Sequence, residues 1–278
     1  MLQLSRTVRF YLAQPVATDD TSPPPAHRNG YAGWPGPRGL AGYFELLIQC
    51  QGDADPITGY FINIKHIDTA VREHALPAVH KLVESAGGAT NVALGDLLRC
   101  VIHAIDPALA NSVKTVQLHL SRYHQISMDK INMSQFTLRQ QYEFSAAHRL
   151  HVPGLSDEKN REIFGKCNNP SGHGHNYQLE VAVTGDVNDA GHALAVDALD
   201  RVVHEHVLEV LDHKHLNVGV PAFAGLNPSV ENIAKVIYDM LENPVQALSV
   251  TLAEVSVWET PKTVCTYQGV KSPMSQSS

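Results

Sequence analysis

From Asn176 to Thr184 apolar and polar side chains alternate, the period of a strand with one buried face. The same kind of patterning predicts strands over residues 3–16, centred on Val8–Leu12, and over Tyr43–Gln51, Gly59–Lys65, Val113–Ile126, Phe136–Ala147, His192–Val196 and Leu252–Tyr267. Gly52–Thr58, rich in Asp, Gly and Pro, is expected to join the second and third of these as a hairpin. Apolar residues at Ile67, Val71, Ala75, Leu76, Val79 and Leu82 follow helical spacing, and they predict a helix over His66–Val83 that Ser85-Ala86-Gly87-Gly88 breaks. Further helices are expected at Asn91–Ala104, at Ala198–Leu211, and after Asn227-Pro228-Ser229, with Asn as cap and Pro at the first helical position. Asp19–Pro37 and Val152–Pro170 read as loops, and Lys271–Ser278 as a disordered polar tail.

Strand, strand, helix, helix, strand occurs in both halves in one order. Gln51-Gly52-Asp53 with Ile57-Thr58-Gly59 matches Thr184-Gly185-Asp186 with Asp189-Ala190-Gly191. We read an internal duplication of about 130 residues joined near Asp129–Met133. The expected domains are then 1–128 and 134–270, followed by the tail 271–278. Setting Tyr43-Phe44-Glu45-Leu46 against Asn176-Tyr177-Gln178-Leu179 puts Leu40 and Gly42 where His173 and His175 stand, so only the second half carries that pair.

Composition narrows the partners. The chain is 44% hydrophobic and 18% charged, and no apolar run approaches the length needed to cross a bilayer. Met1–Ala13, with two arginines and no small-residue cleavage site, does not read as a signal peptide. A net charge of −7 without a long basic run argues against nucleic acid as main partner. Cys50, Cys100, Cys167 and Cys265 show no paired spacing, which suits a reducing cytoplasm.

Sixteen histidines are many, and three converge in prospect. His173 and His175, two apart at the start of a strand, share a face, with Gly174 presenting no bulk between them. His148 ends the strand expected to pair with theirs, and it closes a three-imidazole set of the kind that holds catalytic Zn2+ with one position open. Cys167 lies among Lys166, Asn168, Asn169 and Pro170, so an accessible thiol is expected. Asp212 beside His213 has the form of an acid–base relay. Glu259 interrupts the apolar run Val255–Trp258, and an inward carboxylate there calls for a bidentate donor such as an amidine-like ring edge. These residues alone leave three readings open: an enzyme using Cys167 and zinc together, a zinc hydrolase indifferent to Cys167, and a non-catalytic binding protein.

Taken together, Phe144–Leu150, Gly165–Pro170, Gly172–Tyr177, Leu211–Lys214, Ser229–Ala234 and Trp258–Thr260 resemble the 6-pyruvoyl-tetrahydropterin synthase and 6-carboxytetrahydropterin synthase family. The resemblance covers about Phe136–Gly269. It implies an α+β architecture of two tandem tunnelling-fold units, the first a degenerate repeat. Each unit would be an antiparallel four-stranded sheet with two helices on one face, and the units would assemble into a barrel. Carried over by position, His148, His173 and His175 become zinc ligands and Cys167 the proton acceptor. Asp212 and His213 become relay partners, Glu259 the pterin anchor, and Ser229 and Glu231 the lining of the ring pocket. The implied activity is a lyase acting on 7,8-dihydroneopterin triphosphate, in a homo-oligomer with active sites at subunit interfaces. Five residues, Asn168–Gly172, separate Cys167 from His173, which resembles the branch that forms 6-pyruvoyl-tetrahydropterin. The alternative product is 6-carboxytetrahydropterin of the queuosine pathway.

Overall fold

A computed structural model describes residues 1–12, 42–187 and 196–269. The loop expected over Asp19–Pro37, residues 192–195 of the expected strand His192–Val196, and the tail from Lys271 lie outside the described residues. The chain divides into two compact units, one of Met1–Leu138 with Asp186–Ala193 and one of Arg139–Gly185 with Leu194–Ser278.

In the first unit β1 (Leu2–Leu12), β2 (Gly42–Gly52), β3 (Val113–His119) and β4 (His124–Asp129) pair antiparallel in chain order. Alternation gives the sheet one apolar face, with Val8, Phe10, Leu46, Ile48, Val116, Leu118, Ile126 and Met128 buried. Two helices supply the other half of the core. Helix α1 (residues 64–85) buries Ile67, Val71, Ala75 and Val79, and α2 (Leu94–Ile105) buries Leu98, Val101, Ile102 and Ile105. Asn63 caps α1 by accepting the Lys65 N–H.

Two expectations fail here. Gly59–Lys65 is not a strand: Asp55 Oδ1 accepts the amides of Ile57 and Thr58 and holds a turn, and the chain enters α1 at Ile64. Val113–Ile126 is not one strand but the hairpin β3–β4, which turns at residues 120–123, where the Leu120 amide returns to the His124 carbonyl.

The second unit carries β5 (Gln135–His148) from Arg139 on, β6 (His173–Asp186) up to Gly185, a two-residue β7 (Lys214–His215), β8 (Thr251–Thr260) and β9 (Thr263–Tyr267). The order is β5-β6-β8-β9, with β6–β8 and β8–β9 antiparallel and β7 added in parallel to Ala146 and Ala147 of β5. Its helices are α3 (Asp157–Phe164), α4 (residues 196–211) and α5 (Val230–Gln246). Leu199, Val203, Val207 and Leu211 of α4, with Ile233, Ile237 and Leu241 of α5, cover the buried face built from Phe144, Leu179, Val181, Val255 and Val257.

Three corrections follow in this unit. Val152–Pro170 contains α3, capped by Ser156, whose hydroxyl accepts the Lys159 N–H. Leu252–Tyr267 is two strands that turn at Pro261-Lys262. The cap of α5 is Ser229 and not Asn227, whose Oδ1 is taken by the His151 amide instead. Each unit has the expected four strands with its helices, and among the described residues the strand order is open and does not close into the barrel expected of the assembled units.

The two units share irregularities as well as order. A register shift falls between Gln49 and Cys50 in the first and between Ala182 and Val183 in the second. A π-helical turn occupies Val71–Ala75 of α1 and His204–Leu208 of α4. Both features recur 133 residues along the chain, from 49 to 182 and from 71 to 204. Phe10 stacks on Phe44 in the first unit as Phe144 stacks on Tyr177 in the second.

Candidate metal centre

Strand β6 begins at His173, so the pleat turns His173, His175 and Tyr177 to one face. His148, the last residue of β5, is fully buried beside them. One ring nitrogen from each of the three histidines lies within 4.8 Å of the others, and the Nε2 atoms of His148 and His173 are 3.1 Å apart. His148 Nδ1 sits 2.7 Å from the Pro228 carbonyl, which can only accept, so Nδ1 carries the proton and the Nε2 lone pair points into the cluster. Burial holds His148 and His175 below the ordinary histidine value, which keeps them neutral and able to ligate. Among the described residues His175 Nε2 and His173 Nδ1 are buried without a hydrogen-bond partner. Convergent imidazoles, one with its outer nitrogen fixed by a carbonyl and one with an orphaned inner nitrogen, fit a divalent cation of the zinc type.

Glu259 belongs to the same cluster. Its Oε1 is 3.4 Å from His148 Nε2 and 3.7 Å from His175 Nε2. The register Gln178↔Trp258 between β6 and β8 brings it level with Tyr177. Cys167 is half-buried in a single turn, Gly165–Asn168, that four hydrogen bonds fasten to the segment just after His148. Leu150 N–H donates to the Cys167 carbonyl and Arg149 Nε to the Asn168 carbonyl. The buried Asn168 side chain donates to the Leu150 carbonyl and to His151 Nδ1. The thiol is thereby tied to the strand end that carries His148.

Asp212 and His213 are joined to each other, with His213 Nδ1 2.8 Å from Asp212 Oδ2. They hang from β5, where Asp212 Oδ1 accepts the Ser145 amide at 2.7 Å and the His213 amide donates to the Ser145 carbonyl. That amide holds the Asp212 carboxyl below its usual range, with His213 adding to the effect. His213 is bent to φ +55° and 82% exposed, and among the described residues no hydrogen bond or ion pair joins this dyad to Cys167 or the histidines. Ser229 caps α5 next to Pro228, and Glu231, held below the usual carboxylate range by the Ser229 hydroxyl, lies exposed in the first turn.

Several contributors are silent in the sequence. Pro228 acts through its carbonyl, and Asn168 through a fold-dependent network. Gly172 has φ +73°, and a Cβ there would meet the His148 carbonyl oxygen at 3.0 Å and His215 Nε2 at 2.7 Å. His215, on β7, therefore packs against the glycine that precedes the ligand pair.

Fold and site together define a class: an α+β protein with a buried three-histidine centre flanked by a fastened thiol and a carboxylate. The family model described as 6-pyruvoyl tetrahydropterin synthase matches residues 137–270. The human 6-pyruvoyl tetrahydrobiopterin synthase is 43% identical over 129 residues, 45% of this chain and 86% of that protein. The 6-carboxy-5,6,7,8-tetrahydropterin synthase of Bacillus subtilis is 31% identical over 139 residues, 49% of this chain and 87% of that one. The structure of Caenorhabditis elegans 6-pyruvoyl tetrahydropterin synthase aligns over 49% of this chain and 96% of its own, with 37% identity and a TM-score of 0.44. The chain belongs to the 6-pyruvoyl tetrahydropterin synthase family.

Proposed function

We propose that this protein is a lyase acting on a pterin, and more narrowly a zinc-dependent one that converts 7,8-dihydroneopterin triphosphate to 6-pyruvoyl-tetrahydropterin with loss of triphosphate. The observation that carries this reading is the convergence of the triad and Glu259 in one cluster, with Cys167 fastened beside it. His148, His173 and His175 hold the metal. Zinc bound there supplies Lewis acidity that makes the carbon-bound protons of the hydroxylated side chain easier to remove. Glu259 fixes the ring by accepting from its amidine-like edge, and Ser229 with Glu231 lines that pocket at the start of α5. Cys167 as thiolate accepts a side-chain proton, and His213, oriented by Asp212, moves protons between side chain and ring. One side-chain carbinol becomes a carbonyl as the ring C=N is reduced, and elimination of triphosphate from the terminal carbon leaves an enol that tautomerises to the second carbonyl and a methyl group. Electrons then balance within the substrate, with no external oxidant.

The exposed dyad on β5 supports a homo-oligomer in which Asp212 and His213 of one chain serve Cys167 of another. π-Helical turns are rare, so two of them 133 residues apart, together with the repeated register shift, support reading the first unit as a degenerate copy of the second. Among the described residues no helix is long and apolar enough to cross a membrane, and all four cysteines are free, in keeping with a cytoplasmic enzyme.

The test is incubation of zinc-loaded protein with 7,8-dihydroneopterin triphosphate and no nucleotide cofactor, with the product identified by mass. The expected product is the pyruvoyl pterin, absent with Cys167→Ala. A carboxy product with a two-carbon aldehyde would move the protein to the other branch, and turnover that survives Cys167→Ala would replace the lyase with a hydrolase.

A further inference from the structure

Tyr177 lies two residues beyond the second ligand of the His173/His175 pair and faces the same way. Its ring has a packing partner: it stacks on Phe144 with centroids 4.9 Å apart at 13°. Tyr177 is fully buried, and among the described residues its hydroxyl meets no hydrogen-bond partner. A polar group removed from water and left unpaired is unfavourable, so its presence needs a reason.

The first unit shows that packing is not the reason. Phe44 holds the corresponding position on β2 and stacks on Phe10 of β1, with centroids 5.7 Å apart at 29°. The same stack is built there from a ring without oxygen, in the unit that has Gly42 where the second carries His175. The hydroxyl occurs only beside the histidines.

Its surroundings indicate what it awaits. The Tyr177 ring stands edge-on to His175 at 5.5 Å and to His148 at 6.1 Å. Glu259 lies level with it across the β6–β8 ladder. An ordinary phenol is protonated at neutral pH, so this hydroxyl is a donor looking for an acceptor.

We infer that the Tyr177 hydroxyl is a catalytic hydrogen-bond donor to a side-chain oxygen of the pterin, a role that rests on the pterin lyase reading above. As carbon-bound protons leave, negative charge gathers on that oxygen, and a fixed donor shielded from water stabilises it. The proton stays on Tyr177, and no bond is made or broken there.

Tyr177→Phe removes only the oxygen and recreates a stack the protein already uses. Wild type and variant are compared for zinc per chain, Tm, kcat and KM with 7,8-dihydroneopterin triphosphate, and Kd for 7,8-dihydroneopterin, which lacks the leaving group. The variant is expected to keep its zinc and a Tm equal to or above that of wild type, because an unpaired buried hydroxyl contributes no stability. Its kcat should fall about 100-fold, the scale of losing one preorganised donor, with KM changed less than about threefold. A kcat within about threefold of wild type would overturn the assignment, as would loss of zinc or a Tm lowered by several degrees, either of which would give the hydroxyl a structural role. If wild type itself shows no turnover, the reaction reading fails and the Kd decides: a value about fivefold weaker in the variant keeps the contact, and an equal value removes it.

Discussion

Gly172 decides more at the site than its lack of a side chain suggests. Its φ of +73° is a region that L residues rarely adopt, and a Cβ would press on the His148 carbonyl and the His215 ring. Gly172→Ala must therefore shift the start of β6, and His173 with it. The expected result is a loss of about 1–2 kcal/mol of stability, the cost of forcing a side chain into that backbone region, together with weaker zinc retention under chelator titration. An alanine variant with wild-type Tm and zinc affinity would show that the turn is plastic. At this scale the sequence is legible wherever function rests on the side chain's own chemistry. Two histidines flanking a glycine, a third at a strand end and a thiol in a polar turn can be read directly. Pro228, Asn168 and Tyr177 cannot, because a carbonyl, an amide network and an orphaned hydroxyl acquire meaning only from neighbours 80, 17 or more residues away.

At the scale of elements, periodicity placed the helices and the ligand strand well but missed turns without glycine. Leu120-Ser121-Arg122-Tyr123 continues the β-compatible composition of its flanks, so β3 and β4 read as one strand. Helix α3 escaped because Asp157–Phe164 has almost no apolar stripe, and its only signals are the Ser156 cap and the acids that follow. The cap of α5 is the consequential case. Asn227-Pro228-Ser229 offers two capping residues, and the fold gives Ser229 to the helix and Asn227 to the His151 amide. The Ser229 hydroxyl lies 3.5 Å from the Asn232 nitrogen, a long contact, so Ser229→Ala should lower stability by about 0.5–1 kcal/mol, the lower part of the range for such caps. Because the preceding carbonyl fixes the His148 tautomer, the same variant should also release zinc faster. A thermal scan and a chelator off-rate measure the two effects separately, and an unchanged off-rate would mean that Pro228 is held without the helix cap.

At the scale of the molecule, the two units divide the work unequally. In the first, a Cβ at Gly42 would lie 2.8 Å from the Phe44 ring, so the space a ligand side chain would need is filled by packing. The second unit holds the triad and the fastened thiol but displays its Asp212–His213 dyad outward, with His213 82% exposed. A relay so placed either does nothing or reaches a site on another copy. The two cases separate in a mixing experiment. Cys167→Ala and His213→Ala chains should each be inactive alone. After subunit exchange in equal amounts, a site works only when an intact Cys167 meets an intact dyad from its neighbour, so activity should recover to about one quarter of wild type under random closed assembly. Recovery near that level assigns the dyad to the neighbouring chain. Absence of recovery, with exchange verified by native mass spectrometry, would confine Asp212 and His213 to their own chain and require the exposed loop to fold back over Cys167 before it could act.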